Sequence, residues 1–86
     1  MTIDPMFEKF AKKWGLETSQ IRTVFEMVQG NGGKYGKTHR QLETFYINLS
    51  TRQIRYFYRS CKLALRYGSK EEIGGENYIK LVEKAS

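Results

Sequence analysis

The 86-residue sequence has few of the residues that disulfides, metal sites and catalytic centres require. It has one cysteine, Cys61, so it forms no internal disulfide and no zinc cluster, which fits a reducing compartment. Its one histidine, His39, supports neither a metal site nor a cysteine–histidine nucleophile pair. We therefore predict no enzyme activity, no catalytic residue, no metal and no cofactor, with His39 a solvated surface side chain and Cys61 a small buried apolar one.

Long apolar runs are missing as well. No segment approaches the ~20 apolar residues of a membrane span. The first six residues lack the basic stretch and apolar core of a signal peptide. These features predict a cytoplasmic protein with no membrane partner.

The sequence has fewer acidic than basic residues. It contains nine Asp and Glu and 15 Lys and Arg, which gives a formal net charge of +6 and a pI near 9.6. This excess favours a polyanionic partner such as nucleic acid, although a basic balance also serves solubility. Hydrophobic residues reach 40% and aromatic ones 14%, so we expect a folded core with some rings left at a contact surface.

The apolar residues recur at helical spacing, and no segment shows the alternation of a strand. The pattern predicts an all-α fold, a compact bundle of four to five helices in one domain over 1–86. The first helix opens at Asp4 and Pro5 and ends at Gly15. The last is a short helix with apolar positions Tyr78, Ile79, Leu81 and Val82.

The second helix and two loops lie between these ends. Thr18 or Ser19 caps the second helix, which stops at Gly30. A glycine-rich loop is predicted over 30–37, and a second loop over 68–75.

The segment 38–67 fits one helix or two. Thr38 followed by Gln41, and Ser50 followed by Gln53, both match a capping box. The helix therefore breaks at Asn48–Ser50 and restarts, or runs unbroken from about 38 to 67, and the lack of Gly and Pro favours a continuous or slightly kinked helix. Its first apolar stripe consists of Leu42, Phe45, Tyr46 and Leu49.

A short pattern occurs twice. Leu-x-Thr-x-Gln-Ile-Arg spans 16–22 and recurs over 49–55. Two copies are too few for a solenoid. We interpret them as two helix starts that use the same capping chemistry.

The segment 50–67 carries the strongest functional signal. On a helix its apolar positions share one face, and five cations lie within an arc of about 80° on the other side. Like charges four residues apart repel by roughly 0.2–0.5 kcal/mol per pair, and a phosphate chain along them would offset this cost. The cations are Arg52, Arg55, Arg59, Lys62 and Arg66, and the apolar positions are Ile54, Phe57, Tyr58, Cys61, Ala64 and Leu65.

Arginine pairs with phosphate through a planar fork, and Tyr56 and Tyr67 at the edge of the stripe can stack on bases. The segment therefore predicts RNA binding. The alternative is that the cations pair with Glu residues of another helix.

Gly36-Lys37-Thr38 before a helix matches the end of a nucleotide-binding loop. Asn31 stands where that pattern requires glycine, and no strand precedes it, so nucleotide hydrolysis is not predicted. Lys34 and Lys37 are instead expected to contact phosphates.

At Leu16-Glu17-Thr18-Ser19-Gln20-Ile21-Arg22 the chain resembles the small helical subunit of type III-A CRISPR effector complexes, the Csm small-subunit family. Members have a Leu-Thr-Thr-Ser-Gln-Ile-Arg-like helix start, a variable loop and a long basic helix rich in Tyr, here around Arg55-Tyr56-Phe57-Tyr58-Arg59. The element order agrees over 12–82, and the seven-residue motif is its specific part. Glu17 replaces the commoner threonine, and the chain is shorter than usual for the family.

The resemblance implies a non-catalytic subunit of an antiviral ribonucleoprotein, several copies of which hold target RNA or the guide–target duplex by its backbone. Its partners would be RNA, read largely without regard to sequence, and other subunits of the effector complex. Within the motif it implies core roles for Leu16 and Ile21, caps at Thr18 and Ser19, and an RNA contact at Arg22. Copy number and self-association stay open.

Two other functions remain as alternatives. One is a DNA-binding helix-turn-helix module, disfavoured because an eight-residue loop is too long for its turn. The other is a helical adaptor that binds only proteins.

Overall fold

The computed structural model describes residues 4–67, 76, 79 and 80, and those residues include no strand. Residues 4–67 form four α-helices and their connections. The helices are α1 (Asp4–Trp14), α2 (Thr18–Gly30), α3 (Tyr35–Glu43) and α4 (Thr51–Tyr67). The predicted all-α class with four to five helices is confirmed. The loop predicted over 68–75 and most of the predicted last helix lie outside the described residues, whereas Ile79 and Lys80 are helical.

An aromatic core joins α1, α2 and α4, and Phe57 of α4 lies at its centre. Phe57 is fully buried, and its ring centroid lies 5.1 Å from that of Phe10, 6.0 Å from Phe7 and 6.4 Å from Phe25. Full burial of such a side chain contributes roughly 1.5–3 kcal/mol. The remaining space in this core is filled mainly by Ile21, Val24, Val28, Leu42, Ile47, Leu49 and Ile54.

The apolar face of α4 agrees with the prediction except near its end. Ile54, Phe57, Cys61 and Ala64 are buried. Leu65, which was predicted on this face, is 48% exposed, and the neighbouring Leu63 is only 7% exposed.

The C-terminus of α1 ends at glycine, as predicted. Gly15 has φ +67°, and the N–H of Leu16 donates to the carbonyl of Ala11 at 2.9 Å. This is the bond of a Schellman motif, in which a left-handed residue follows the last helical turn.

Helices α2 and α4 begin in the same way. The N–H of Glu17 donates to Oε1 of Gln20 at 2.9 Å, and the N–H of Ser50 donates to Oε1 of Gln53 at 2.8 Å. The interpretation of the repeated pattern as shared capping chemistry is confirmed. The prediction of Thr18 or Ser19 as the cap of α2 is wrong, because Glu17 holds the N-cap position and Thr18 is already helical.

The favoured alternative of one continuous or slightly kinked helix over 38–67 is wrong, because α3 ends at Glu43 and α4 begins at Thr51. The alternative of two helices, with a second capping box at Ser50 and Gln53, is confirmed. Tyr46 has φ +58°, and the N–H of Ile47 donates to the carbonyl of Leu42 at 3.1 Å, so a tyrosine makes the turn usually made by glycine. The predicted stripe is correct only at its two leucines. Ile47 is buried, whereas the side chains of Phe45 and Tyr46 are 55% and 94% exposed.

The connection between α2 and α3 is shorter than predicted. Only residues 31–34 separate the two helices, because Gly32 and Gly33 turn the chain with φ +64° and +81°. The predicted capping box at Thr38 is also wrong. This residue is fully buried within α3, where its hydroxyl donates to the carbonyl of Lys34 at 3.0 Å and accepts from Nδ2 of Asn31 at 3.0 Å.

Candidate nucleic-acid interface

The five cations predicted on α4 lie along one side of the helix, opposite Phe57. We call Arg52, Arg55, Arg59, Lys62 and Arg66 the basic face. All are exposed except Arg59, which is half-buried. From Arg52 to Arg66 the face extends over about 21 Å, at 1.5 Å of rise per residue.

Within the described part of the chain, acidic side chains form no ion pair with four of the five cations of this face. These four cations are Arg52, Arg55, Lys62 and Arg66. Within the four helices, the carboxylates of Asp4 and Glu43 lie beside Arg22 and the imidazole of His39 instead. The described helices thus give no support to the alternative that glutamates of another helix neutralise these four cations.

A cavity of about 600 Å³ lies beside the C-terminal half of the basic face. We call it the tyrosine cavity. One wall belongs to α4 and consists of Tyr58, Arg59, Lys62, Leu63 and Arg66. The opposite wall consists of Gly32 and Gly33, from the connection between α2 and α3, and Tyr35 at the start of α3.

The two tyrosines of the cavity are held in place by the core. Their ring centroids lie 6.3 Å apart in an edge-to-face arrangement, and the ring of Tyr58 packs 5.4 Å from that of Phe25. Burial, assisted by Tyr35 and Cys61, raises the pKa of Tyr58. Its hydroxyl therefore keeps its proton at neutral pH and can donate a hydrogen bond. Nζ of Lys62 lies 5.6 Å from the centroid of the Tyr58 ring, so a cation adjoins the aromatic wall.

A smaller hollow of about 290 Å³ lies at the N-terminal end of the basic face. We call it the tryptophan hollow. Lys13 and Trp14 of α1 face Arg52, Gln53 and Tyr56 of α4 across it. Nζ of Lys13 lies 5.3 Å from the centroid of the Tyr56 ring. The basic face thus has aromatic rings beside cations at both ends.

The other predicted RNA contacts are more scattered. Tyr56 and Tyr67 are both partly exposed on α4, and the guanidinium of Arg66 lies 5.4 Å from the Tyr67 ring centroid. Lys34 and Lys37 are exposed near the connection between α2 and α3, but neither lines the tyrosine cavity.

Arg22 lies apart from both hollows. One of its guanidinium nitrogens is 3.5 Å from a carboxylate oxygen of Asp4, and the group lies 5.9 Å from the ring centroid of Phe7. The structure therefore does not bring Arg22 into the candidate interface with the residues of α4.

Sequence reasoning missed several residues of this interface, namely Lys13, Trp14, Tyr35, Tyr58 and Leu63. The helical spacing assigned Tyr58 to the apolar face. Its ring does pack on Phe25, but it also lines the tyrosine cavity. Nothing in the local pattern around Tyr35 indicates that it meets Tyr58, because their contact depends on the turn at residues 31–34.

The single histidine has a structural role. Nδ1 of His39 donates to the carbonyl of Leu49 at 2.7 Å, and Nε2 lies 3.4 Å from Oε1 of Glu43. The prediction of a merely solvated side chain is wrong, because the hydrogen bond ties α3 to the segment that precedes α4.

Cys61 is buried as predicted, and burial raises the pKa of its thiol to about 12. The protonated thiol is a poor nucleophile, so this residue acts as a small apolar side chain. Among residues 4–67, 76, 79 and 80, no cluster of three His, Cys, Asp or Glu side chains could hold a metal ion.

No protein-family model, curated protein or solved structure matches the chain. No helix within its described part is long and apolar enough to cross a membrane.

Proposed function

We propose that this protein is a non-catalytic RNA-binding domain that holds RNA by its phosphate backbone along the basic face. The observation that supports this most is the line of five cations on α4, four of which have no ion pair with a described carboxylate. A phosphate chain along this line would relieve the repulsion between neighbouring cations and release its condensed counterions. Arginine, which supplies four of the five, forms two-point hydrogen bonds to phosphate.

The resemblance of residues 16–22 to the Csm small-subunit family supports a place for this domain in a cytoplasmic type III-A CRISPR ribonucleoprotein. Its role there would be to hold target RNA or the guide–target duplex, while other subunits carry out catalysis. Lys34 and Lys37, both exposed near the connection between α2 and α3, would add phosphate contacts.

The test reverses two charges outside the tyrosine cavity. The variant Arg52→Glu/Arg55→Glu should bind single-stranded RNA at least about tenfold more weakly, since each lost charged hydrogen bond is worth about 1 kcal/mol or more. Fluorescence anisotropy with labelled RNA measures the affinity, and circular dichroism checks that the helices remain. The matched control is Lys12→Glu/Arg40→Glu, which makes the same charge change at exposed positions of α1 and α3.

The same experiment separates the alternatives. The length argument against a helix-turn-helix module no longer holds, because only residues 31–34 connect α2 to α3. In that module α3 would read DNA, so the control variant would lose binding to duplex DNA and the α4 variant would keep it. Binding of the α4 variant to RNA as tight as that of the unmodified protein would refute the proposal, and an adaptor would bind neither nucleic acid.

A further inference from the structure

The tyrosine cavity has features that are not needed to bind the phosphate backbone of RNA. We propose that it accepts one unpaired nucleotide of the bound RNA, with the base against Tyr35 and Tyr58 and the phosphate held by Lys62 and Arg66. This inference rests on the proposed function and narrows its substrate class to RNA with at least one single-stranded nucleotide at this position.

The size of the cavity fits such an occupant. Its volume of about 600 Å³ lies within the range of roughly 300–1,000 Å³ typical of sites that enclose small molecules. Solvated lysines and arginines on a helix surface need no cavity to contact phosphates.

The walls fit a base next to a phosphate. Tyr35 and Tyr58 both line the cavity and are half-buried, and their rings meet edge to face at 68° rather than lying flat on one another. Leu63 adds an apolar surface that is not part of the main core cluster. A base has a π-face whatever its identity, so such walls bind bases without reading sequence.

Cations lie in the wall of the cavity next to its aromatic rings. Nζ of Lys62 lies 5.6 Å from the Tyr58 ring centroid, and Arg66 lines the same space one helical turn further along α4. On the opposite rim, Gly32 and Gly33 have no side chains and leave only backbone there. A nucleotide joins an apolar planar group to an anion, which matches this pairing of rings and cations.

A duplex would use these walls poorly. Its bases are stacked on one another and show only their edges, whereas an unpaired base can turn outward and stack on an aromatic side chain. The cavity should therefore favour single-stranded RNA over duplex RNA of equal length.

The test compares oligouridine with an abasic ribose-phosphate oligomer of the same length, which keeps the phosphates and lacks the bases. We expect the unmodified protein to bind oligouridine about tenfold more tightly, the gain from stacking one base. The variant Tyr35→Leu/Tyr58→Leu should bind both oligomers with the affinity that the unmodified protein has for the abasic one. The matched control is Tyr46→Leu, which removes an exposed tyrosine elsewhere and should keep the difference.

A second measurement needs no variant. RNA that contains 4-thiouridine is cross-linked to the unmodified protein by light, and the modified peptides are identified by mass spectrometry. Cross-links at Tyr35 or Tyr58 support the cavity. Cross-links confined to other residues overturn it even if the double variant fails to fold.

The outcomes also separate this inference from the proposed function. Equal affinity for oligouridine and the abasic oligomer would refute the nucleotide site and leave backbone binding intact. Binding of neither oligomer would refute both. Duplex RNA bound as tightly as the single strand would contradict the preference that the cavity predicts.

Discussion

Tyr46 has a backbone conformation that costs an L-residue roughly 1–2 kcal/mol. Its φ is +58°, and 94% of its side chain is exposed, so packing recovers little of that cost. At the end of α1 the equivalent position is held by Gly15, which adopts the same region without a steric penalty. Glycine is therefore the residue that the local geometry favours at position 46.

The variant Tyr46→Gly should raise the free energy of unfolding by up to about 1 kcal/mol, because relief of strain outweighs the extra entropy of glycine in the unfolded chain. Urea denaturation measures the change. Phe45→Gly is the matched control, because this neighbouring exposed aromatic residue has no positive φ and should lose stability. A loss of stability in Tyr46→Gly as large as in the control would contradict the interpretation.

At the scale of elements, the N-terminus of α4 is fixed by a capping hydrogen bond and by two buried apolar residues. Oγ of Ser50 accepts the N–H of Gln53 at 3.1 Å, while Leu49 and Ile54 on either side of the first turn are both buried. Such a pair of apolar residues fixes the direction in which the chain enters a helix. The basic face begins two residues after this cap.

The variant Ser50→Ala should lower the free energy of unfolding by about 1 kcal/mol, the usual cost of removing an N-cap side chain. Thermal denaturation followed by circular dichroism measures the effect. Thr51→Ala is the control, since this exposed residue makes no described capping bond and should change stability by no more than about 0.5 kcal/mol. Equal losses in the two variants would show that the hydroxyl of Ser50 does not cap α4.

Much of the element structure could be predicted from local pattern. The cations and the buried side chains of α4 follow helical periodicity, which depends only on spacing along the chain. The break after α3 could not be predicted in this way, because Tyr46 makes a turn for which glycine is the usual signal. The opposite error occurred at Gly36, which lies within α3 although glycine was interpreted as a loop residue.

The candidate site was predicted only in part, for a different physical reason. The basic face belongs to one helix, so sequence spacing places its residues together. The tyrosine cavity joins Tyr35 to Tyr58 from separate helices, and their meeting depends on how α3 packs beside α4. Contacts between separate helices cannot be predicted from the spacing of residues along one helix.

At the scale of the whole molecule, binding should depend strongly on salt. If the five cations of the basic face each meet one phosphate of a single strand, the logarithm of the binding constant should fall against the logarithm of salt concentration with a slope of about −3.5, from about 0.7 per contact. A titration of two unrelated RNAs of equal length measures it. The variant Arg52→Glu/Arg55→Glu should flatten the slope to about −2, from three contacts. A slope near −1 for the unmodified protein would indicate base recognition instead.

The position of Phe57 also has a consequence for the order of events during synthesis. Its partners Phe7 and Phe10 leave the ribosome about fifty residues earlier, and until α4 follows they have no central ring to pack against. The nascent chain must therefore leave these aromatic side chains in an incomplete core until α4 has emerged, a state prone to aggregation. Because α4 supplies both the missing ring and the basic face, a released fragment that lacks this helix would have neither a complete core nor the basic face.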